Sequence, residues 1–279
     1  MKKNNEEIEE SDRAQKRRVL QGLSTVGPAI APFTGTLFAL LSNYLIAKDA
    51  EAEQQELNRN VQAQIRDFGQ VLSQVAERVG VQPAQFENAL VSPHKALVAE
   101  EALRTSLTLA SNDQREILAS VLLERLRSDR AEKDKALKDS LLESSLQSLR
   151  YLDGDSLRAM AFILFFRHLS LEERTGLAQQ VPSLIDRLDW SALRREHLLS
   201  LGCVYSGGAE YIENPKHFAT HWLPQSKLSD AQLRRLEGCI GKEGGMLHLR
   251  LTGSGQAIAI EVCRVELKGF TKTIDQQLA

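Results

Sequence analysis

From Val19 to Ala47 the chain runs for twenty-nine residues without a charge, in a sequence of which 26% is charged. A membrane-crossing helix needs roughly 20 predominantly apolar residues to span a hydrocarbon core about 30 Å thick. The denser part, Ala29 to Ala47, reaches that length. Gly27, Pro28, Pro32 and Gly35 interrupt the first half, and proline removes a backbone donor and clashes with the preceding turn. The pattern therefore predicts a short helix to Val26, a break, and a new helix beginning near Pro32. The candidate membrane residues are Ala29, Phe33, Leu37, Phe38, Leu41 and Leu45. The competing reading of the same run is a hairpin buried in a soluble helical protein.

Helical pattern continues from Lys48 to Val79 without proline. Val61, Ile65, Phe68, Leu72, Val75 and Val79 alternate spacings of four and three, which is the a/d seam of a coiled coil. The expectation is a stalk that self-associates; the alternative is a helix packed on its own domain. Gly80 ends it as a C′ residue. A short helix follows between Pro83 and Pro93, then one over Lys95–Ala110. Ser111-Asn112-Asp113 caps the next, with Glu116 expected to complete a capping box. That helix presents Ile117, Leu118, Val121, Leu122 and Leu126, and its successor, Lys133–Tyr151, is expected to bury Leu137, Leu141, Leu142, Leu146 and Leu149.

Asp153-Gly154-Asp155 reads as a boundary, after which the pattern changes. A very apolar helix, Ser156–Leu169, precedes helices over Leu171–Leu188 and Trp190–Leu201. A stretch rich in glycine and aromatics runs to Lys227, followed by a helix at Ser229–Cys239, a short strand at 247–252 and a last helix at Gly253–Leu267. This order matches a winged-helix domain whose wing carries an insertion. The predicted fold class is mostly α, organised as a charged tail (1–18), an apolar membrane-inserting segment (19–47), a stalk helix (48–80), a helical domain (81–152) and a winged-helix-like sensor domain (153–279).

Composition adds constraints. Net charge is −2, and the C-terminal region carries equal numbers of acidic and basic residues, so no strongly basic domain announces a nucleic-acid binder. The acidic head (Glu6, Glu7, Glu9, Glu10, Asp12) does not fit a secretory signal. Lys16, Arg17 and Arg18 favour a cytoplasmic N-terminus by the positive-inside rule, and a single span would then put the bulk outside. Three cysteines, an odd number, argue against an oxidising compartment. A re-entrant entry, or a span that ignores the charge rule, keeps the large domain in the cytoplasm, and a membrane protein with a cytoplasmic bulk is the expectation. There is no phosphate-binding loop, dinucleotide fingerprint or nucleophile elbow, so the chain reads as a non-enzyme without a cofactor. His217 and His221 at i,i+4, with Cys203 and Cys239, make only a weak zinc pattern because the cysteines are isolated. The stronger signal is basic residues among aromatics, since single-stranded nucleic acid binds cationic grooves lined by stacking rings. The candidate ligand residues are Arg194, Arg195, His197, Tyr205, Lys216, Trp222, Arg234 and Arg235, with Lys242 and Arg250 as extensions. The bland alternative is a set of solvated faces, because Glu196, Glu210 and Glu213 dilute the charge.

The stretches 111–169 (SNDQREIL…FILFFRHL) and 249–259 (LRLTGSGQAIA) resemble a poorly characterised family of bacterial helical proteins often encoded near anti-phage genes. That family's usual N-terminal region is not matched here. An apolar N-terminal segment joined to such a region also resembles membrane effectors of anti-phage defence, the Hailong-type effectors among them. The resemblance implies a homo-oligomer, a tetramer, that contacts membrane lipid and is held inactive by a single-stranded DNA oligomer made by a partner enzyme. No motif for that ligand maps onto this chain residue by residue. The expected function is thus a ligand-gated membrane channel or membrane-disrupting assembly. The alternative is a soluble winged-helix adaptor or regulator with a buried N-terminal hairpin.

Overall fold

The four-three stripe builds one long helix, α1 (Ala52–Val79), in a computed structural model that describes Phe33, Thr36, Leu37 and residues 52–127, 135–207, 227–240 and 245–271. Helices dominate the described residues. Contacts divide the chain into two units, 1–127 and 128–279.

In unit 1, α1 is followed by α2 (Pro83–Ala89), α3 (Pro93–Ser106) and α4 (Asn112–Arg127). Gly80 at φ 73° ends α1 as expected, with the Val81 amide reaching back to the Ala76 carbonyl at 2.8 Å. Ile65, Phe68, Leu72 and Val75 are buried, and α1 packs on α4 and α3 of the same chain. The seam expected to serve a stalk is therefore filled intramolecularly, and self-association through it would require leaving these partners. Helix α4 is buried almost all round from Ile117 to Leu123, as the central helix of a small bundle must be. Its cap differs from expectation. Ser111 Oγ accepts from the Gln114 amide at 3.2 Å, and Gln114 Oε1 accepts from the Ser111 amide at 3.1 Å. Glu116 lies too far along the helix for that role and instead pairs with Arg78 of α1.

Unit 2 contains α5 (Lys135–Leu149), α6 (Gly154–Arg167), α7 (Leu171–Leu177), a 3₁₀ turn (Ala178–Gln180), α8 (Val181–Asp186), α9 (Ala192–Ser200), β1 (Val204–Ser206), α10 (Asp230–Ile240), a second 3₁₀ turn (Met246–His248), β2 (Leu249–Leu251) and α11 (Gly253–Glu266). The expected single helix over Leu171–Leu188 is broken because Pro182 sits in the first turn of α8, where its missing N–H costs nothing. The expected strand at 247–252 is shorter, its first residues forming the 3₁₀ turn. Helix α5 packs on α11, and both lie in unit 2. Leu142, Leu146 and Leu149 of α5 are buried as expected, but Leu137 is 62% exposed, one turn before the contact face begins.

The core of unit 2 is the pairing of α6 with α11. Helix α6 buries every residue from Ala159 to Phe166, and α11 buries every residue from Ala257 to Cys263. Both are apolar around most of their circumference, the mark of a helix enclosed by its own protein. Phe166 holds Phe162 and Phe165 at ring-centroid distances of 4.4 and 5.1 Å. The antiparallel ribbon pairs Val204 with Leu251 and Tyr205 with Arg250, and its inward residues Val204, Leu249 and Leu251 are buried.

The LTGSG stretch closes this unit. Thr252 Oγ1 donates to the Gly202 carbonyl at 2.7 Å and accepts from the Gly255 amide at 3.2 Å, capping α11. The Thr252 amide donates to the Cys203 carbonyl at 3.1 Å, and Ser145 Oγ of α5 donates to the Ser254 carbonyl at 3.1 Å. A Cβ on Gly255 would stand 1.9 Å from that Cys203 carbonyl oxygen, which is backbone and cannot move aside. Gly255→Ala is expected to destabilise unit 2 by about 2–3 kcal/mol through overpacking. Gly253→Ala, whose Cβ would meet only the flexible Leu141 tip at 2.8 Å, should cost clearly less. Equal midpoints for the two variants in urea denaturation would refute this assignment.

Candidate ligand surface

Helix α9 carries three of the candidate ligand residues. Ser191 caps it by accepting from the Arg194 amide at 3.2 Å, and the cap aims the Arg194 side chain back toward the start of α6. There Arg194 Nη2 donates to Asp153 Oδ2 at 3.1 Å and Asp155 Oδ2 at 3.2 Å. Its Nη1 donates to Asp189 Oδ2 at 2.9 Å and to the Asp189 carbonyl at 3.1 Å. The Arg194 side chain is 12% exposed, and its guanidinium is held by three carboxylates. A phosphate would have to displace all of them, so Arg194 is a fold-building residue in this state. Asp153 also caps α6, accepting from the Ser156 amide at 2.7 Å. The network runs on through Arg158, which bonds Asp155 and Glu266 at 3.2 Å each, and Arg187 also pairs with Glu266.

The remaining candidates divide. Arg195 bonds its neighbour Glu196, and His197 Nε2 lies 2.8 Å from the Tyr151 carbonyl. Tyr205 is 47% exposed on the outer face of β1, opposite Arg250. The Arg250 stem lies against Gly207, where an added Cβ would meet its Cγ at 2.5 Å. Arg234 and Arg235 are exposed on α10, which packs on α8 and on the turn before β2. Lys216 and Trp222, with Lys242, His217 and His221, lie outside the described residues. The structure thus joins Tyr205 with Arg250, leaves Arg234 and Arg235 open to solvent, and commits Arg194, Arg195 and His197 to partners in their own unit.

Among the named membrane residues, Phe33 is 3% exposed and Leu37 fully buried. The Phe33 ring meets Phe86 of α2 edge-on, at a centroid distance of 5.0 Å and an interplanar angle of 77°. Ala29, Phe38, Leu41 and Leu45 lie outside the described residues. No helix among the described residues is long and apolar enough to cross a membrane.

The thiols are not poised for chemistry. Burial pushes Cys239 up to about 11, with Arg235 acting slightly against it. Burial also raises Cys203 and Cys263. All three are free and buried, so they stay protonated near neutrality, and a thiol attacks only as the thiolate. No His, Cys, Asp and Glu cluster fit for a metal ion occurs among the described residues. Sequence reasoning missed the acidic shell of Arg194. Asp153 and Asp155 were visible only as a boundary, and their distance from Arg194 along the chain gave no signal. It also missed Leu193 (81% exposed) and Tyr151 (59% exposed), which flank His197. No family model matches this chain, and neither the curated proteins nor the solved structures contain a match.

The ionic state of this network sets a pH dependence. Burial raises Asp153, but its bonds from Ser156 and the Arg194 guanidinium outweigh that and hold its carboxyl below the ordinary value of 3.8. A depressed carboxylate contributes stability that is present above its unfolded value and lost as pH falls through the lower folded one. Arg194→Met should cost about 1–2 kcal/mol at pH 7, modest because the three carboxylates face water and are screened. The variant should also lose less stability than the wild type on going from about pH 4 downward. Parallel acid-denaturation curves for the two proteins would contradict this.

Proposed function

We propose that this protein is a non-enzymatic effector of bacterial anti-phage defence that acts on the inner membrane through residues 19–47. In this reading the bulk of the chain is cytoplasmic. Copies associate, as a tetramer, into a channel or membrane-disrupting assembly that a ligand bound to the C-terminal unit holds closed. The observation that carries it is the twenty-nine-residue uncharged run in a chain that is one-quarter charged. Gating follows from linkage, because a ligand with higher affinity for the closed assembly holds it shut and its loss shifts the population.

The C-terminal unit is read as winged-helix-like, a reading supported by α9 running into β1 and by the antiparallel partner β2 directly before α11. A single-stranded DNA oligomer is the ligand suggested by resemblance. Tyr205, Arg250, Arg234 and Arg235 are the described groups able to serve it, a ring for stacking and cations open to phosphate. A second reading, a soluble winged-helix adaptor, is favoured by one observation: Phe33 and Leu37 sit in the core of unit 1.

Fractionation separates the two readings. A fraction of the effector is expected to pellet with membranes, to resist alkaline carbonate extraction and to need detergent. Leu41→Arg with Leu45→Arg should move it to the soluble fraction, since a central arginine costs about 2.5–3.5 kcal/mol on insertion scales. A wild-type chain found entirely soluble would sink the effector reading and leave the adaptor. For the ligand surface, Tyr205→Ala should weaken single-stranded DNA binding by about 1–3 kcal/mol with an unchanged salt slope. Arg234→Glu with Arg235→Glu should reduce that slope. Unchanged binding in both would remove this face from consideration.

A further inference from the structure

Phe33 and Leu37 are one helical turn apart and share a face, and both are shut off from water inside unit 1. Phe33 meets the Phe86 ring edge-on, and Phe86 is itself 1% exposed on a helix that packs against the central α4. The same two side chains belong to the run that reads as membrane-inserting. If that run enters a bilayer as a helix, Phe33 must leave Phe86 and Leu37 its buried place. We propose that this seat is an autoinhibitory contact, in which unit 1 and the lipid compete for one apolar face.

The competition is finely balanced for a physical reason. Both environments remove these side chains from water, so the hydrophobic term is gained in either state, and lipid tails are as apolar as the protein core. What distinguishes the states is specific packing, here the edge-on ring pair, which a fluid bilayer cannot reproduce. A modest change in the seat itself therefore shifts the population between stowed and inserted chains. The inference rests on the membrane reading above and adds to it the element that restrains insertion.

The test is co-flotation of the full-length chain with phosphatidylethanolamine/phosphatidylglycerol vesicles. Phe86→Ala removes the seat and should raise the vesicle-bound fraction roughly tenfold, because a buried aromatic contact is lost from the stowed state alone. Phe33→Ala gives the sharper result. It makes the inserting run less apolar, so a plain membrane anchor would bind less, whereas a released latch binds more. Leu72→Ala, an equally buried change on α1, controls for general loosening of unit 1 and should leave flotation near the wild-type level. Flotation of Phe33→Ala at or below the wild-type level overturns the latch. So does an increase in Leu72→Ala matching that in Phe86→Ala. If every variant floats equally and Leu41→Arg with Leu45→Arg abolishes it, the membrane reading stands without the latch. No flotation by any variant overturns both.

Discussion

The described part of unit 2 depends on the seating of α11 against α6 and on the backbone contact that permits it. Two helices this apolar must enclose each other, because neither has a polar face wide enough to meet water. The approach is limited by the Gly255 backbone lying against the Cys203 carbonyl, with room for hydrogen alone. Thr252 satisfies both sides of that contact at once, capping α11 and closing the loop after α9. The ribbon, the end of α9 and the Arg194 cluster are all placed by this closure.

That arrangement reinterprets the LTGSG stretch. Its residues serve the close approach of a loop and a helix start, which is a reason for threonine and glycine at those places independent of any ligand. Arg194 carries a similar lesson. A basic residue beside an aromatic invites a nucleic-acid reading, but here three carboxylates surround the guanidinium and raise its affinity for its proton against the effect of burial. Its work is to tie α9 to the start of α6. Arg234 and Arg235 on α10 and Arg250 on the ribbon are exposed instead.

The helical character was legible because it rests on local signals. Glycine placed the end of α1, prolines bracketed α2 and marked the start of α3, and the all-apolar stretch of α6 was legible as a helix. The Ser111 cap was visible, but its partner is Gln114, three residues on, where the helix geometry places a side chain over the cap. The break at Pro182 was missed because the apolar pattern continues through it. Strand β1, three residues long, is too short for alternation to register. The acidic shell of Arg194 was out of reach, since Asp153 and Asp155 come from a distant turn and only the fold brings them near. The seam of α1 shows the limit of periodicity: it identified the buried face and left open whose helix would cover it.

On the proposed latch, Phe33 and Leu37 of the uncharged N-terminal run have two homes, the core of unit 1 and a bilayer. An environment-sensitive fluorophore on Thr36→Cys, between Phe33 and Leu37 and half-buried, reports on that choice. The native thiols are buried and raised, so labelling is confined to the new one. Emission should be mostly protein-like in the wild-type background, with a minor fraction quenched by lipid-borne quenchers, and that fraction should rise when Phe86→Ala is added. A probe that lipid quenchers never reach in either background would contradict the account.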